Sequence, residues 1–161
     1  MDRVAEASAP MVDVTQNPAK AMALELADAQ PLVWGGSILA ARASRRVAEA
    51  LRQASGRVVL SADAGALLPL LEGVAPRDVF ADPFEDTAPT TRPGLVMIDD
   101  DQDDEAAAEE RAELTAVATS RDVLISRVAH TLGTPMERYA SVLQQGLYAA
   151  AYLRIGLGQR S

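Results

Sequence analysis

Residues 31–56 read PLVWGGSILAARASRRVAEALRQASG, and no other stretch restricts the fold as tightly. Leu32, Val33 and Trp34 form an apolar run too short for a helix, which reads as a buried strand. Gly35 and Gly36 follow, and without a Cβ they permit a tight turn with close backbone approach. Ser37 is a favoured N-cap, since its hydroxyl can accept from a free N–H of the next turn. Ala40, Ala43, Val47, Leu51 and Ala54 then share one helical face. Arg42, Arg45, Glu49 and Arg52 fall opposite, with Glu49 placed to pair with Arg45 or Arg52. Gly56 is placed to end the helix. Such a junction aims unpaired N–H groups and the positive end of a helix dipole at one spot, which suits a phosphate. Gly35, Gly36 and Ser37 are therefore the expected ligand-binding residues. Glycines at a strand–helix junction also serve packing alone, so the turn by itself does not assign a function.

At 161 residues the chain can bury one full core. Hydrophobic residues make up 48% of it but aromatics only 4%, so Ala, Leu and Val must build that core. Close packing of helices on a sheet suits such small side chains. The formal net charge of −8 argues against nucleic acid as a partner. With no cysteine there is no disulfide framework, thiolate nucleophile or cysteine-based zinc site. The N-terminal residues do not follow a signal-peptide pattern, and no apolar run is long enough to span a bilayer. A cytoplasmic domain with no membrane partner is expected.

Residues 1–16 read as a short helix or a lead-in crossing the surface. Asn17-Pro18 starts a helix, with Asn as N-cap and Pro at the first helical position. Ala21, Leu24 and Ala27 or Asp28 mark its spacing, and Pro31 is expected to end it and open the first strand. Val58, Val59 and Leu60 form a second apolar run. Asp63 then leads the segment ALLPLLEG, where Pro69 implies a short or broken helix. Pro69, Pro76, Pro83, Pro89 and Pro93 are five of the nine prolines and mark a long irregular connection, which Phe80 and Phe84 are expected to pin to the core. Leu95, Val96, Met97 and Ile98 form the third strand. The acidic run from Asp99 suits a helix N-terminus, with Leu114, Val117 and Ala118 on the buried face. Val123, Leu124 and Ile125 form the fourth strand. Thr134, Pro135 and Glu137 cap the last helix, and Met136, Tyr139, Ala140, Leu143, Leu147, Ala150 and Ala151 form its expected apolar stripe.

Short apolar strands without alternation, each followed by a helix, belong to a parallel sheet covered on both faces. The expected class is α/β: three layers around a doubly wound parallel sheet of four to five strands. In such sheets ligands bind beyond the carboxyl ends of the strands, at the switch point. The Gly35, Gly36 and Ser37 turn belongs there, beside the acidic end of the third strand.

The segments NPAKAMALELADAQPLVWGGSILAARASRRVAEAL and LQQGLYAAAYLRIGLG resemble the C-terminal half of the bifunctional phosphoglucose/phosphomannose isomerases, built from two sugar-isomerase (SIS) domains. The resemblance implies a flavodoxin-like sheet with residues 1–16 as a lead-in and residues 17–161 as a single SIS-like domain, one half of a two-domain isomerase. It implies a sugar phosphate as ligand, a second SIS domain or a homodimer partner, and no cofactor. The implied reaction takes glucose 6-phosphate or mannose 6-phosphate to fructose 6-phosphate through an enediol. The alternative is a non-catalytic sugar-phosphate-binding or structural domain. The family's Pro-Glu and later His-Asn are missing: Pro69 is followed by Leu70, and no histidine stands nearby.

Enediol chemistry needs a base and a group for the ring oxygen. Glu72, Glu85 and His130, the sole histidine, are the candidates, each of which also reads as an ordinary surface residue. Asp99, Asp101, Asp103 and Glu110 match the spacing of a calcium loop. Asp104 stands where that loop needs Gly, so charge at a helix start explains the run and no metal is expected. WGGSIL departs from GxGxxG, which argues against a dinucleotide.

Overall fold

The computed structural model describes residues 2–75 and 91–158. Six helices and four strands follow in the order α1 (Asp2–Ala7), α2 (Pro18–Glu25), β1 (Ala29–Gly35), α3 (Ile38–Ser55), β2 (Leu60–Ser61), α4 (Ala64–Glu72), β3 (Arg92–Asp99), α5 (Glu105–Ser120), β4 (Leu124–Ala129) and α6 (Pro135–Gly156). All strand pairs are parallel and the sheet order is β2-β1-β3-β4. The fold is the α/β layer expected, with four strands among the described residues.

Strand pleating divides the core. Val33, Val96, Ile98 and Val128 face one layer, where they meet the buried sides of α2, α3 and α6. Leu32, Trp34, Leu95 and Met97 face the other, with Leu67 and Leu71 of α4 and Leu114 and Ala118 of α5. Burying a Leu or Val side chain contributes roughly 1.5–3 kcal/mol, so these two sets carry the fold.

Local chemistry sets the helix ends. The side chains of Asn17, Ser37, Asp63, Asp104 and Thr134 each accept from the backbone N–H three residues on. Gly56 closes α3 in the left-handed region at φ 67°. Pro69 lies inside a single nine-residue helix. The lead-in is tied down: Asn17 donates to the Ala9 carbonyl, Lys20 Nζ to those of Pro10 and Val12, and the Tyr152 hydroxyl to Ser8.

Several local expectations are corrected. Pro31 does not open β1. The strand starts at Ala29, and Pro31 pairs with Gly94 of β3 where β2 does not reach, so its missing N–H leaves no gap between two strands. β2 is only Leu60 and Ser61, with Val58 70% exposed, because this edge strand needs little cover. β4 spans Leu124–Ala129 and alternates in burial, since an edge strand is covered mainly on one face. Val117 is only half-buried. Leu24 is exposed, and α2 instead buries Ala19, Met22 and Ala23. Glu49 pairs with Arg46 at 3.2 Å, not with Arg45 or Arg52. The last helix is rotated from the expected stripe. It buries Ser141, Val142, Gly146, Ala149, Ala150 and Leu153, while Met136 and Leu147 stay exposed. Small residues win that face because α2 and α3 both pack closely against it. Phe80 and Phe84 lie outside the described residues.

The closest of these approaches is at Gly146, where a Cβ would run into the side chain of Val47 on α3. Gly146→Leu is expected to lower stability by roughly 1–3 kcal/mol or more, since α3 and α6 must separate. A urea-unfolding midpoint unchanged by the substitution would show that the two helices do not meet there.

Candidate functional site

The chain leaves β1 toward one face of the sheet and β3 toward the other, so the switch point lies between their carboxyl ends. Gly35, Gly36 and Ser37 stand at that point. A Cβ on Gly35 would lie 2.5 Å from the Ala40 carbonyl carbon. One on Gly36 would lie 2.7 Å from Asp103 Oδ1 and 2.8 Å from Ala107 Cβ and from the Trp34 ring. Both glycines are therefore required by packing, between α3 on one side and the start of α5 on the other.

Ser37 makes two bonds. Its Oγ accepts from the Ala40 N–H at 2.9 Å and donates to Asp100 Oδ2 at 2.9 Å. Asp100, just past β3, is 0% exposed, and its other oxygen, Oδ1, has no partner among the described residues. A buried acceptor without a donor is costly, and in a native site it calls for a ligand or water. The adjoining cleft of about 300 Å³ is lined by Gly36, Ser37, Ile38, Leu39, Asp100, Gln102, Asp104 and Pro135. Of the first-turn N–H groups of α3, that of Ala40 is taken by Ser37 Oγ, while those of Ile38 and Leu39 have no acceptor within the helix. Donors and a free carboxylate oxygen thus line one cleft.

The surroundings are acidic. Asp99 and Asp103 are clamped by Arg111, whose guanidinium reaches Asp99 Oδ2 at 2.5 Å and Asp103 Oδ2 at 2.7 Å. Asp101, at φ 58°, takes an ion pair from Arg138 at 3.6 Å. Asp104 caps α5 through the Ala107 N–H. Burial pushes the Asp103 carboxyl above its ordinary value; Arg111 opposes this, and the charges of Asp99, Asp100 and Asp104 add to it. The sequence suggests a phosphate at this turn, but a dianion beside Asp100 and Asp104 meets repulsion, whereas a hydroxyl group meets a free acceptor. The calcium spacing does not gather either: among the described residues no group of three or more Asp, Glu or His could hold a metal ion.

The structure separates the candidate acid–base residues. His130 directly follows β4 at this end of the sheet, half-buried, and its backbone N–H bonds the Asp99 carbonyl at 3.0 Å. Glu72 is exposed on the last turn of α4, at the opposite end. Glu85 lies outside the described residues. Asp100 and Arg111 were not singled out from sequence. On the far side of Gly36, a cleft of about 340 Å³ is lined by Ser44, Arg45, Ser61, Asp63 and Glu110 among others, with the two serine hydroxyls 2.8 Å apart. A larger cleft, about 950 Å³, lies at the amino ends of the strands. Three of its polar side chains are already used: Arg92 donates to Arg121 O, Arg57 to Ala27 O, and Glu25 accepts from Ser126.

Two outcomes test this geometry. Ser37→Ala removes a helix cap, about 1 kcal/mol, and leaves Asp100 with neither oxygen bonded, roughly 1–3 kcal/mol more. Urea unfolding should therefore register at least about 2 kcal/mol; a loss confined to the cap alone would contradict the Ser37–Asp100 bond. For Asp103 the raised folded value means that its protonated form favours folding, and this contribution is lost as pH rises from the ordinary 3.8 through the raised value. The stability of Asp103→Asn relative to the parent should therefore increase as pH rises above 3.8. A difference that is flat or falls over that window would show that Arg111 outweighs burial.

No curated protein matches this sequence closely enough to count as a relative. Among solved structures, a glucose-6-phosphate isomerase like protein from Thermus thermophilus superposes with a TM-score of 0.68 at 22% identity, over 97% of this chain and 47% of that one. The chain thus spans about half the length of that neighbour. Residues 15–159 match the family described as the bacterial phospho-glucose isomerase C-terminal SIS domain. With nearly the whole chain covered by that match and the same fold found in the solved neighbour, this protein belongs to the family of bacterial phospho-glucose isomerase C-terminal SIS domains.

Proposed function

We propose that this chain is the sugar-phosphate-binding half of an aldose–ketose isomerase, interconverting glucose 6-phosphate or mannose 6-phosphate with fructose 6-phosphate in the cytoplasm. Residues 17–161 are the binding domain and residues 1–16 its lead-in. The observation that carries the reading is the cleft at the switch point, lined both by Asp100, whose Oδ1 has no partner among the described residues, and by Ile38 and Leu39 of the first turn of α3. A sugar ring offers hydroxyls that both donate and accept, which matches that pair. The ligand contacts are Gly36, Ser37 and Asp100, with Gly35 shaping the turn. The phosphate points away from Asp100 and Asp104.

Proton transfer between the two carbons of an enediol needs a base close to them, and ring opening needs a proton at the ring oxygen. For the second of these steps our candidate is His130, whose backbone N–H bonds the Asp99 carbonyl at this end of the sheet. With Leu70 after Pro69, the base comes from a second domain of the same kind that closes over the cleft.

Thermal unfolding with millimolar glucose 6-phosphate, mannose 6-phosphate, fructose 6-phosphate and inorganic phosphate tests the binding claim. A ligand at about a hundred times its Kd adds roughly 2.7 kcal/mol of stability. At least one phosphosugar should raise the midpoint, inorganic phosphate alone should not, and Asp100→Asn should abolish the shift. Bulky substitution at Gly36 is unsuitable, because it disrupts the packing on Asp103 and Ala107. An equal shift with inorganic phosphate, or none with any sugar, contradicts the reading. If sugars bind, His130→Asn separates the two functional readings: lost isomerisation with retained binding marks the enzyme, and binding with no turnover in the parent protein marks a non-catalytic domain.

A further inference from the structure

Helix α3 presents Arg42, Arg45, Arg46 and Glu49 to solvent, all exposed and at the i, i+3, i+4 and i+7 spacing of one helical stripe. With Tyr139 of α6 they line a cleft of about 370 Å³. Tyr139 forms the other wall, its ring packed against the core. Glu49 pairs with Arg46 at 3.2 Å. Arg42 and Arg45 have no ion pair among the described residues. Three arginines against one glutamate leave an excess of two positive charges in this cleft, in a chain whose net charge is −8. Such a local reversal of sign attracts an anion.

The two helices also fix where this cleft lies. Each directly follows a strand of the parallel sheet, α3 after β1 and α6 after β4, so both run away from the carboxyl ends of the strands. They lie side by side, in contact at Val47 and Gly146. Leu39 and Pro135, in their first turns, line the Asp100 cleft. Arg42 is three residues further along α3, and Tyr139 four further along α6. Each step is about one helical turn, roughly 5.4 Å along the axis. The arginine cleft is thus the next turn of the groove that begins at the Asp100 cleft. A hexose 6-phosphate carries its phosphate on an exocyclic carbon, a comparable reach from the ring.

We propose that Arg42 and Arg45, assisted by Arg46, receive the phosphate of the phosphosugar whose hydroxyls occupy the Asp100 cleft. This rests on the sugar-phosphate reading of that cleft and gives its phosphate a place on this chain. Asp100 and Asp104 repel the dianion at one end of the groove, and the guanidinium groups attract it at the other, so both charges set the same orientation. Arginine suits the task because its planar fork can donate two parallel N–H bonds to phosphate oxygens. The cleft is open to water, so its hold on inorganic phosphate alone is small, and the sugar contacts supply the rest.

Calorimetric titration of the full chain with glucose 6-phosphate, mannose 6-phosphate and fructose 6-phosphate tests the assignment. Arg42→Gln/Arg45→Gln should weaken the binding of a phosphosugar about tenfold, and Arg42→Lys/Arg45→Lys should recover part of the loss. Glu49→Gln should tighten it about threefold, because Arg46 is released and a like charge removed. Raising the salt concentration should weaken binding by the parent more than by the double Gln variant. Arg154→Gln, exposed near the far end of α6, makes the same change in net charge and should leave the affinity unaltered. Unchanged affinity in Arg42→Gln/Arg45→Gln, with binding still abolished by Asp100→Asn, overturns this proposal and leaves the Asp100 cleft standing. A loss no larger than that of Arg154→Gln overturns it as well. A parent chain that binds none of the three phosphosugars overturns both.

Discussion

Space for a Cβ is missing at two successive positions, Gly35 and Gly36, and the carboxyl end of the sheet is arranged around that shortage. Gly35 lets the backbone of α3 fold back over the end of β1. Gly36 lets Asp103 of the loop before α5, Ala107 of α5 and Trp34 of β1 press in. With both helices this close, Ser37 comes within hydrogen-bonding distance of Asp100, and the loop after β3 is joined to the turn after β1. The cleft therefore depends on packing first and on polar chemistry second. A side chain at Gly36 would move Asp103, and with it the Arg111 clamp that also holds Asp99.

That clamp explains how a run of aspartates can occupy one corner of a folded protein. Each of four carboxylates has its own local partner. Asp104 caps a helix, and Asp101 pairs with Arg138 while its backbone N–H donates to Asp99. Asp99 and Asp103 share Arg111. Asp100 is fully buried with Oδ1 unengaged, and Oδ1 of the nearly buried Asp103 likewise has no partner among the described residues. Charge density and burial together make this corner receptive to neutral hydroxyls and resistant to a free dianion. Under the proposed function, this corner takes the polyol part of a phosphosugar and leaves its phosphate outward.

Much of this was legible in the sequence. The caps at Asn17, Ser37 and Thr134 are local chemistry, and each formed as read. The apolar runs at Leu32–Trp34 and Leu95–Ile98 located the two central strands, which are covered on both faces, whereas the edge strands β2 and β4 depart from that pattern. Strand ends were harder to read: Gln30 and Arg92 join the ladder through backbone pairing, to which side-chain type gives no clue. The last helix was misphased because residues 139–153 are apolar almost all around, so hydrophobicity gave no direction. The small residues Gly146 and Ala149 had to be recognised as the close-packing face. Asp100 was hidden in an acidic run, since only the sheet order shows which aspartate lies at the switch point. A useful signal was available: it is among the first aspartates after an apolar strand in a doubly wound pattern.

The most direct measurement of the central claim is a backbone amide NMR titration with glucose 6-phosphate, alongside inorganic phosphate. The account predicts that the phosphosugar shifts the amides of Gly36, Ile38, Leu39 and the residues after β3, from Asp100 to Asp104, and that inorganic phosphate leaves them in place. Shifts confined to the arginine face of α3 or to the cleft at the amino ends of the strands would contradict it, as would a spectrum that no phosphosugar changes.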